Sequence, residues 1–453
     1  MGQNKKLRLR VLSQDDSRQI HRVALKLLNK TGMDIQDDGT RKHLKEIGCR
    51  EGSDGYLMFD EDTVSQALST VPSRMVVYNQ NGKKAVDTGE LAPRFSPGLN
   101  CNDVLDYKTG KIRPCLLEDI SKTARLCDLL PHIGLAANLG NPNDVPFDEQ
   151  AMASVEVLIK NTCKPVAFTA HDEVEAGQIW QYLADVAGGW ESLSSKPFGL
   201  DLTGPTSPFL FKKESCRRLR FAAARSLPVV CYPCLFPGIT GPMTMAGAIA
   251  QSSAEILAGI VIHQMENPGA PVITGSAIVP MDMRTVNLSY GSPEYALACL
   301  ALVDYFDDIK VPTWIGAGCS DAHIFDAQAV AEAGINMLAA ALSGTSFIHN
   351  LGYLSSGKTG SLEMLLLCDE LAGSVIKFSD GVPVTDNTLA EVVIQEVGKN
   401  RKYLTHPHTK KHVRNELWIP SLFQRFTLGE WRQSGSMTTT ENIREKLKDL
   451  LEE

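Results

Sequence analysis

The chain has 453 residues and a mass of 49.4 kDa, enough for one large domain with additions or for about two to three ordinary domains. Its 45 Lys and Arg residues against 53 Asp and Glu residues give a formal charge of -8, which disfavours nonspecific binding to nucleic acids and anionic membranes. A hydrophobic content of 43% is sufficient for a buried core.

The first residues, MGQNKKLRLR, lack the apolar run of a signal peptide, and no uninterrupted apolar stretch of about 18 residues predicts a membrane span. We therefore expect a cytoplasmic protein. The 11 cysteines are scattered through apolar runs, and Cys231 and Cys234 form the one close pair. Because no second Cys or His pair stands nearby, buried structural thiols are favoured over a redox or zinc site.

An amphipathic helix is the first predicted element. Ser13 can cap it, Gly32 can end it, and one apolar stripe is formed by Ile20, Val23, Ala24, Leu27 and Leu28. From Gly32 to about Gly89, short helical and extended pieces alternate. This pattern predicts an N-terminal cap subdomain over residues 1–92.

Beyond Pro93, extended runs alternate with helical patterns. Eight runs, beginning near residues 94, 134, 164, 196, 227, 270, 311 and 345, are predicted as strands. Helical patterns lie near 117–130, 148–161, 174–187, 213–226, 244–266, 293–307, 326–342 and 361–376. Eight such alternations predict a (β/α)8 TIM barrel over residues 93–380. Within it, LNCNDVLDYKTGKIR could instead form a hairpin that turns at Lys108 to Gly110.

Residues 381–453 predict a C-terminal helical extension on the outside of the barrel or on another subunit. It should contain a helix from Asn387 to Val397, a loop THPHTKKH, and a tail helix whose apolar stripe is Ile443, Leu447, Leu450 and Leu451. The loop holds His406, His408 and His412. Because Lys410 and Lys411 would repel a metal cation there, a solvated or phosphate-contacting loop is favoured.

Parallel barrel strands bring the loops after their carboxyl ends to one face, where barrel enzymes place their sites. Those loops carry Asn141, Asp144, His171, Asp172, Thr203, Ser207, Thr240, Thr244, Asp282, Arg284, Asp321, His323, His349 and Asn350. The patterns HExxH, DxDxDG, GxGxxG, GxSxG and the P-loop are missing. His349 is the best candidate general acid or base, with a core histidine as the alternative, and Asp321 and Asp326 could instead cap the following helix.

Several motifs in a fixed order carry a resemblance: GPMTMAGA from Gly241, MDMRT before PEYAL, SDAHIFDAQA from Ser320 and FIHNLGYLSSG from Phe347. With IHRVALKLLNKTG in the first helix and the HT and WIP features near the C-terminus, the chain resembles the trimethylamine methyltransferase family over nearly its full length. The resemblance implies a barrel enzyme that moves a methyl group from a methylated amine to Co(I) of a corrinoid held on a separate small protein. It implies no metal bound directly by side chains.

The founding archaeal enzymes of that family carry pyrrolysine in the loop that SDAHIF occupies here, whereas this chain has an ordinary residue around His323 or Ile324. That departure favours quaternary amines such as glycine betaine, proline betaine, carnitine or γ-butyrobetaine. A quaternary ammonium is already charged and releases a neutral amine when its methyl group is attacked, so no activating side chain is required. The alternatives are a non-catalytic cytosolic betaine-binding barrel and another corrinoid barrel methyltransferase, of the methanol or tetrahydrofolate type.

The expected residue roles follow from the positions at the strand ends and from the resemblance to the family. The ammonium should lie against aromatic residues from the set Phe95, Tyr107, Tyr232, Phe236, Trp314 and Tyr353. Arg284 should bind the carboxylate of a betaine, or else form a salt bridge to Asp282 or Glu294. His349 and Asp386 are the catalytic candidates, and the residues expected to face the corrinoid are Asp321, His323, His349 and Asn350. The apolar faces of the terminal helices favour a homo-oligomer.

Overall fold

The computed structural model describes residues 6–90, 92–399 and 402–452. Its N-terminal part consists of short helices and strands, as predicted. In chain order they are α1 (Gln14–Lys30), β1 (Asp34–Ile35), α2 (Asp38–Glu46), β2 (Arg50–Glu51), β3 (Leu57–Met58), α3 (Glu61–Thr70), β4 (Val76–Tyr78) and β5 (Lys84–Asp87). Ser13 caps α1 by accepting a hydrogen bond from the backbone N–H of Asp16, whose carboxylate accepts one in return.

The central part alternates strands and helices. It begins with β6 (Arg94–Pro97), β7 (Asp103–Leu105), β8 (Ile112–Pro114), α4 (Leu117–Leu129), α5 (Gln150–Asn161), β9 (Val166–Phe168), α6 (Glu173–Ala187), α7 (Trp190–Ser195), β10 (Gly199–Thr203), β11 (Leu210–Phe211) and α8 (Lys213–Ala224). It continues with β12 (Val229–Cys231), β13 (Cys234–Leu235), α9 (Met245–Glu266), β14 (Val272–Thr274), β15 (Ala277–Ile278), β16 (Met281–Asp282), β17 (Asn287–Leu288) and α10 (Pro293–Asp308). It ends with β18 (Trp314–Gly316), α11 (Ala327–Ser343), β19 (Phe347–Leu351), β20 (Tyr353–Leu354), β21 (Thr359–Ser361) and α12 (Leu362–Ser379). The eight predicted helices are confirmed to within a few residues.

Two parallel sheets organise this part of a mixed α/β fold. One has the strand order β14-β12-β10-β9, and the other has the order β18-β19-β6. Single parallel bridges join Thr274 to Thr313, Phe95 to Ile133 and Ala136 to Val166. The run predicted as a strand from Gly134 makes only such isolated bridges, and Leu139 within it has a positive φ of 57°.

The alternative for LNCNDVLDYKTGKIR is confirmed, since β7 and β8 form an antiparallel hairpin. Asp106 begins its turn by accepting hydrogen bonds from the backbone N–H groups of Lys108 and Thr109. The hairpin lies directly after β6. Residues 94–114 therefore supply both a strand of the parallel sheet and a hairpin at the carboxyl end of that strand.

An apolar cluster is formed by residues from all eight of the predicted strand runs. Its members include Leu99, Leu135, Ala137, Ala167, Leu200, Val230, Ile273, Trp314 and Phe347. A second, larger cluster packs the other side of the strands against the helices. Successive residues of a strand face opposite sides of the sheet. Because both sides are covered here, the sequences of these strands are continuous hydrophobic runs rather than alternating patterns.

Helix α9 is apolar on nearly all sides and contacts α1, α3 and α8. By length and composition alone it could cross a membrane, and it is the one helix within the described ranges that passes this test. However, 83% of its apolar window is buried by the rest of the protein. A helix that is hydrophobic all round and covered in this way is packed as a core helix.

The C-terminal part is helical: α13 (Asp386–Leu389), α14 (Glu391–Val397), α15 (Pro407–Glu416), α16 (Leu428–Gln433) and α17 (Thr439–Glu452). The helix predicted from Asn387 to Val397 is broken at Ala390, whose φ is 52°. The predicted loop THPHTKKH is wrong, since it forms most of α15. His406 caps this helix, and Pro407 has the fixed φ that suits a first helical position.

Helix α17 docks against α12 and α4 through its buried residues Ile443, Leu447 and Leu451. Beside them, Nε of Arg444 donates to Oε1 of Glu363 at 2.6 Å. The tail helix α17 therefore packs on the outside of the central part, which is one of the two arrangements predicted from the sequence. The domain limits at 92/93 and 380/381 stay a prediction.

We expect Leu447→Ala to lower the free energy of unfolding by about 2–5 kcal/mol, because it leaves a cavity at a side chain with no exposed surface. Lys448→Ala, on the exposed side of the same helix, is the matched control and should change it by less than about 0.5 kcal/mol. Urea denaturation followed by circular dichroism measures both. Equal effects of the two substitutions would show that α17 does not dock as described.

Candidate functional site

Four tyrosines, here called the tyrosine cluster, meet beyond the carboxyl ends of β12, β18 and β19. They are Tyr232, Tyr290, Tyr295 and Tyr353. The ring of Tyr290 makes edge-to-face contacts with Tyr295 at 5.1 Å and with Tyr353 at 6.2 Å between centroids. Burial raises the pKa of all four hydroxyls, so the cluster is uncharged at neutral pH.

His349 joins this cluster through Tyr232. Its Nε2 lies 3.0 Å from the Tyr232 hydroxyl oxygen, and the two rings meet edge to face at 5.2 Å. Its Nδ1 is buried without a hydrogen-bond partner in the described part of the chain. Burial lowers the pKa of His349 to about 3, because no nearby carboxylate compensates the loss of water around an imidazolium. His349 is therefore a neutral hydrogen-bonding group rather than a cation.

A partly exposed surface, here called the recess, borders the cluster at Cys234. Its side chain is solvent accessible, yet burial raises the pKa of its thiol to about 11. The side chain is thus partly covered by protein and partly open to solvent. The half-buried rings of Tyr232, Phe236 and Tyr290 share this intermediate exposure. The recess therefore has aromatic walls and few charges.

Backbone carbonyls, amides and glycines fix the rings in place. Nδ2 of Asn350 donates to the Tyr295 hydroxyl at 3.1 Å, while the Tyr353 hydroxyl donates to the Leu99 carbonyl and accepts from the Leu99 N–H at 2.7 Å. A Cβ atom at Gly316 would overlap the Tyr295 hydroxyl, and one at Gly98 would overlap the Tyr353 ring. Glycine is required at both strand ends because the rings approach the backbone directly.

Asp321 holds the loop that carries Tyr290. Its carboxylate accepts hydrogen bonds from the Tyr290 backbone N–H at 2.8 Å, the Ser356 hydroxyl at 2.9 Å, and the Ser289 hydroxyl. The alternative role as a helix cap is wrong for Asp321, whereas Asp326 does cap α11. Asp321 thus connects three loops at the edge of the recess, and its acceptor oxygens are used by protein donors.

Three aromatic assignments require correction. Phe95 and Trp314 have no exposed surface, so neither contacts a substrate in this structure. Trp314 stacks on Phe347 and borders His349, with centroid distances of 5.2 Å to each. Tyr107 is also buried and lines a separate small cavity next to the β7–β8 hairpin. Tyr232 and Phe236 are the assigned aromatics that are half-buried at the recess, and Tyr353, which is buried, contacts Tyr290 there.

The other predicted site residues lie either at the edge of the recess or farther from it. Arg284 lies on an exposed hairpin with its side chain 88% exposed and paired with Asp282, which was the alternative prediction. His323 is exposed in the loop after β18, where its Nδ1 lies 3.1 Å from the Ser355 hydroxyl. Asn350 is buried behind the tyrosines. The structure does not bring Arg284 to the tyrosine cluster in this conformation.

Helix α12 leads away from His349 before the chain reaches Asp386. This helix starts at the strand ends and runs back, so that the Ser379 carbonyl at its end accepts a hydrogen bond from the backbone N–H of Leu7. The neighbouring Leu9 bonds to Leu342 at the corresponding end of α11. The exposed Asp386 follows that end of the helix, and no hydrogen bond among the described residues joins it to His349, so its role in the site stays a prediction.

The described residues contain no group of three or more His, Cys, Asp or Glu side chains arranged to hold a metal ion. All 11 cysteines are free, with Cys231 buried and Cys234 at the recess. In α15, the rings of His408 and His412 stack on each other at 4.3 Å, one helical turn apart.

Sequence reasoning missed Tyr290 and Tyr295. A signal existed for Tyr295, because Ser292 and Pro293 mark the start of a helix and a side chain in its first turn points back beyond that start. A tyrosine at the third helical position is thereby directed towards the strand ends. No comparable local signal identifies Tyr290, whose position depends on the distant Asp321.

Comparisons with known proteins identify the family of the chain. The family described as Trimethylamine methyltransferase (MTTB) matches residues 2–453. A glycine betaine methyltransferase of Desulfitobacterium hafniense (strain Y51) is 28% identical over 424 residues, which cover 93% of this chain and 88% of the relative. Trimethylamine methyltransferase MttB of Methanosarcina barkeri is 28% identical over 460 residues, covering 98% and 90%.

Among solved structures, the Methanosarcina barkeri monomethylamine methyltransferase MtmB has a TM-score of 0.48 and 14% identity, covering 99% of this chain and 96% of that chain. The family match extends over essentially the whole sequence, including the strand-end segments that carry Tyr232, Tyr290 and His349. The chain therefore belongs to the trimethylamine methyltransferase family.

Proposed function

We propose that this protein transfers a methyl group from a quaternary amine of the glycine betaine, proline betaine, carnitine or γ-butyrobetaine type to Co(I) of a corrinoid held by a separate protein. The observation that carries the proposal is an uncharged tyrosine cluster beside a neutral histidine in a recess at the strand ends. The named activities of the relatives, glycine betaine and trimethylamine methyl transfer, support the reaction class.

We also propose that the strands close into a (β/α)8 barrel. The two parallel sheets and the single bridges from Thr274 to Thr313, Phe95 to Ile133 and Ala136 to Val166 give every one of the eight runs a neighbour on both sides. The apolar cluster with one or more members from each run supports an enclosed interior. In such a barrel all strand carboxyl ends, and therefore the recess, lie on one face.

The aromatic walls suit a quaternary ammonium better than a primary or tertiary amine. A quaternary nitrogen has no N–H to donate, so hydrogen-bond acceptors give it no directional stabilisation, whereas the faces of aromatic rings attract its distributed charge. Each well-placed ring contributes roughly 0.5–2 kcal/mol. Two or three rings of the tyrosine cluster together with Phe236 would give millimolar to micromolar binding.

The neutrality of His349 is required by the same substrate. An imidazolium 3.0 Å from the Tyr232 hydroxyl would repel a cation held against that ring. As a neutral group, His349 instead orients the hydroxyl, and thereby the ring, without opposing the charge. His349 is therefore a positioning residue in the proposed reaction.

The loops around the recess are suited to a protein that presents the corrinoid. They expose large apolar side chains, namely Ile239, Met243, Met283, Val286 and Ile324. A Co(I) corrinoid supplies the nucleophile when bound, so this chain has to orient one N-methyl group outwards and exclude water. His323 and the Ser355 hydroxyl lie on the same rim.

A cytoplasmic location and self-association through exposed apolar side chains of the C-terminal part belong to the same proposal.

A substrate panel tests the reaction directly. Purified protein should consume Co(I) cobalamin, followed by its absorbance, when glycine betaine, proline betaine, carnitine or γ-butyrobetaine is added, and should not do so with trimethylamine. At least one quaternary amine should act as a methyl donor. Binding of these amines without consumption of Co(I) would instead favour the betaine-binding barrel, and activity with trimethylamine alone would contradict the assignment to quaternary amines.

We expect His349→Ala to slow methyl transfer by roughly tenfold to a hundredfold, because the Tyr232 ring loses the contact that orients it. Binding of the quaternary amine, measured by calorimetry, should change by less than about threefold, since the rings remain. Tyr232→Phe should behave in the same way, whereas His43→Ala, on the N-terminal helix α2, is the control. An unchanged transfer rate in His349→Ala would remove this residue from the mechanism.

The affinity for glycine betaine should be constant between about pH 5.5 and 8. Because burial lowers the pKa of His349 to about 3, the imidazole stays neutral throughout this range and adds no positive charge as the pH falls. A histidine with an ordinary pKa near 6.5 would instead become charged below that pH and weaken binding of the cation. Calorimetric titration across the range decides between these outcomes, with His349→Gln as the non-titrating reference.

A further inference from the structure

A second cavity lies next to the tyrosine cluster and is not used by the proposed methyl transfer. Its volume is about 170 Å³, and its polar side chains are Asn100, Asn138, Asn141, Ser154, Thr169 and His171. It is formed by the loops after β6 and β9 and the 133–141 segment, with α5 as one wall. The cavity adjoins the cluster because the Leu99 backbone binds the Tyr353 hydroxyl and Asn100 follows directly.

The three asparagines form an incompletely satisfied network. Nδ2 of the buried Asn138 donates to Oδ1 of Asn100 at 3.3 Å and to Oδ1 of Asn141 at 3.4 Å, both long distances. The Oδ1 atom of Asn138 is buried without a partner in the described part of the chain. The amide groups of Asn100 and Asn141 donate to no described protein acceptor. An unsatisfied buried amide is costly unless a ligand or water completes it.

Both donors and acceptors face this cavity, whichever way the amides are oriented. Ser154 donates its hydroxyl proton to the Gln150 carbonyl at 2.7 Å, which leaves its oxygen free to accept. The amides of Asn100 and Asn141 are available as donors. If all three asparagine amides were reversed, donors and acceptors would exchange positions, but both kinds would still be present.

The lining carries little charge. Arg218 lies behind the wall, where its guanidinium pairs with Asp201 and donates to the Ala170 carbonyl at 2.7 Å. The Nδ1 atom of His171 lies 2.9 Å from Oε2 of Glu175, so that one of the two imidazole nitrogens already has a hydrogen-bond partner. None of the cavity-lining residues is a Lys, Arg, Asp or Glu. The lining therefore suits a neutral group better than a carboxylate or a cation, because neither charge would find a counter-ion.

We infer that this cavity binds a primary carboxamide. A carboxamide offers a carbonyl oxygen to the amide donors and an N–H group to the acceptors, and it carries no charge. A space equivalent to about six water molecules accommodates a group of this size. The inference deepens the proposed function and rests on it in one respect: a corrinoid docked at the recess carries carboxamide side chains, and a free small amide is the other source.

Calorimetric titration of the full-length chain with propionamide tests the inference. Propionamide should bind at least tenfold more tightly than propionate, which has the same shape but a charge and no N–H donor. Asn141→Ala and the isosteric Asn138→Asp should each weaken propionamide binding by roughly fivefold to tenfold, as expected for one or two lost hydrogen bonds. Asn387→Ala, at an exposed position of α13, should leave it unchanged.

Thermal unfolding of each variant shows whether the variant is folded, and the position of propionamide is read from a crystal soaked with it. Equal binding of propionate, full binding by both folded variants, or propionamide located elsewhere would overturn the inference. Asn138 is buried, so the half-buried Asn141 keeps the test decisive if Asn138→Asp does not fold.

Two further titrations distinguish the sources of the carboxamide. If the corrinoid supplies it, aquocobalamin should bind to the wild-type chain and bind several-fold more weakly to Asn141→Ala. Propionamide binding that depends on Asn141 while aquocobalamin binding does not supports the cavity as a site for a free amide. If no amine of the substrate panel donates a methyl group while propionamide still binds, the proposed function is refuted and the inference about the cavity is not.

Discussion

The hydrogen bond between Tyr232 and His349 sets the character of the whole site, because it is made between two groups that burial keeps neutral. A charge at this depth would have to be compensated by a counter-ion, and among the described residues no carboxylate bonds to either side chain. The surrounding structure is consistent with that constraint. The Tyr295 and Tyr353 hydroxyls are satisfied by Asn350 and by the Leu99 backbone, which are also uncharged.

The carboxylates of this region have a different task, which is to hold loops. Asp321 connects the loops of Ser289, Tyr290 and Ser356, and Glu332 binds the Ser320 hydroxyl at 2.6 Å and the Asp321 backbone N–H at 2.9 Å. These hydrogen bonds use the negative oxygens that would otherwise attract a cation. The walls of the recess are thus rigid and polar on the outside, while the surface presented to a ligand is aromatic.

Much of this fold could be predicted from the sequence because its signals are local. The helices α4 to α12, apart from the short α7, follow from apolar periodicity and caps such as Ser292, and the hairpin of β7 and β8 follows from the turn at Asp106. The exposed hairpin of Arg284 and the burial of Phe95 and Trp314 could not be predicted, since they depend on which face of a short strand turns inwards. Tyr290 was missed for the related reason that a residue far along the chain, Asp321, sets its position.

For the proposed demethylation of a quaternary amine, an aromatic site is also the better arrangement. The substrate loses its positive charge as the methyl group leaves, so a carboxylate in contact with the ammonium would stabilise the starting state more than the transition state and raise the barrier. Ring faces bind the cation less strongly per contact and lose less when the charge disappears. In the described part of the chain no carboxylate contacts Tyr232 or His349, and Asp321 and Glu332 are used in the walls. Under the proposed function, this arrangement favours methyl loss over tight retention of the substrate.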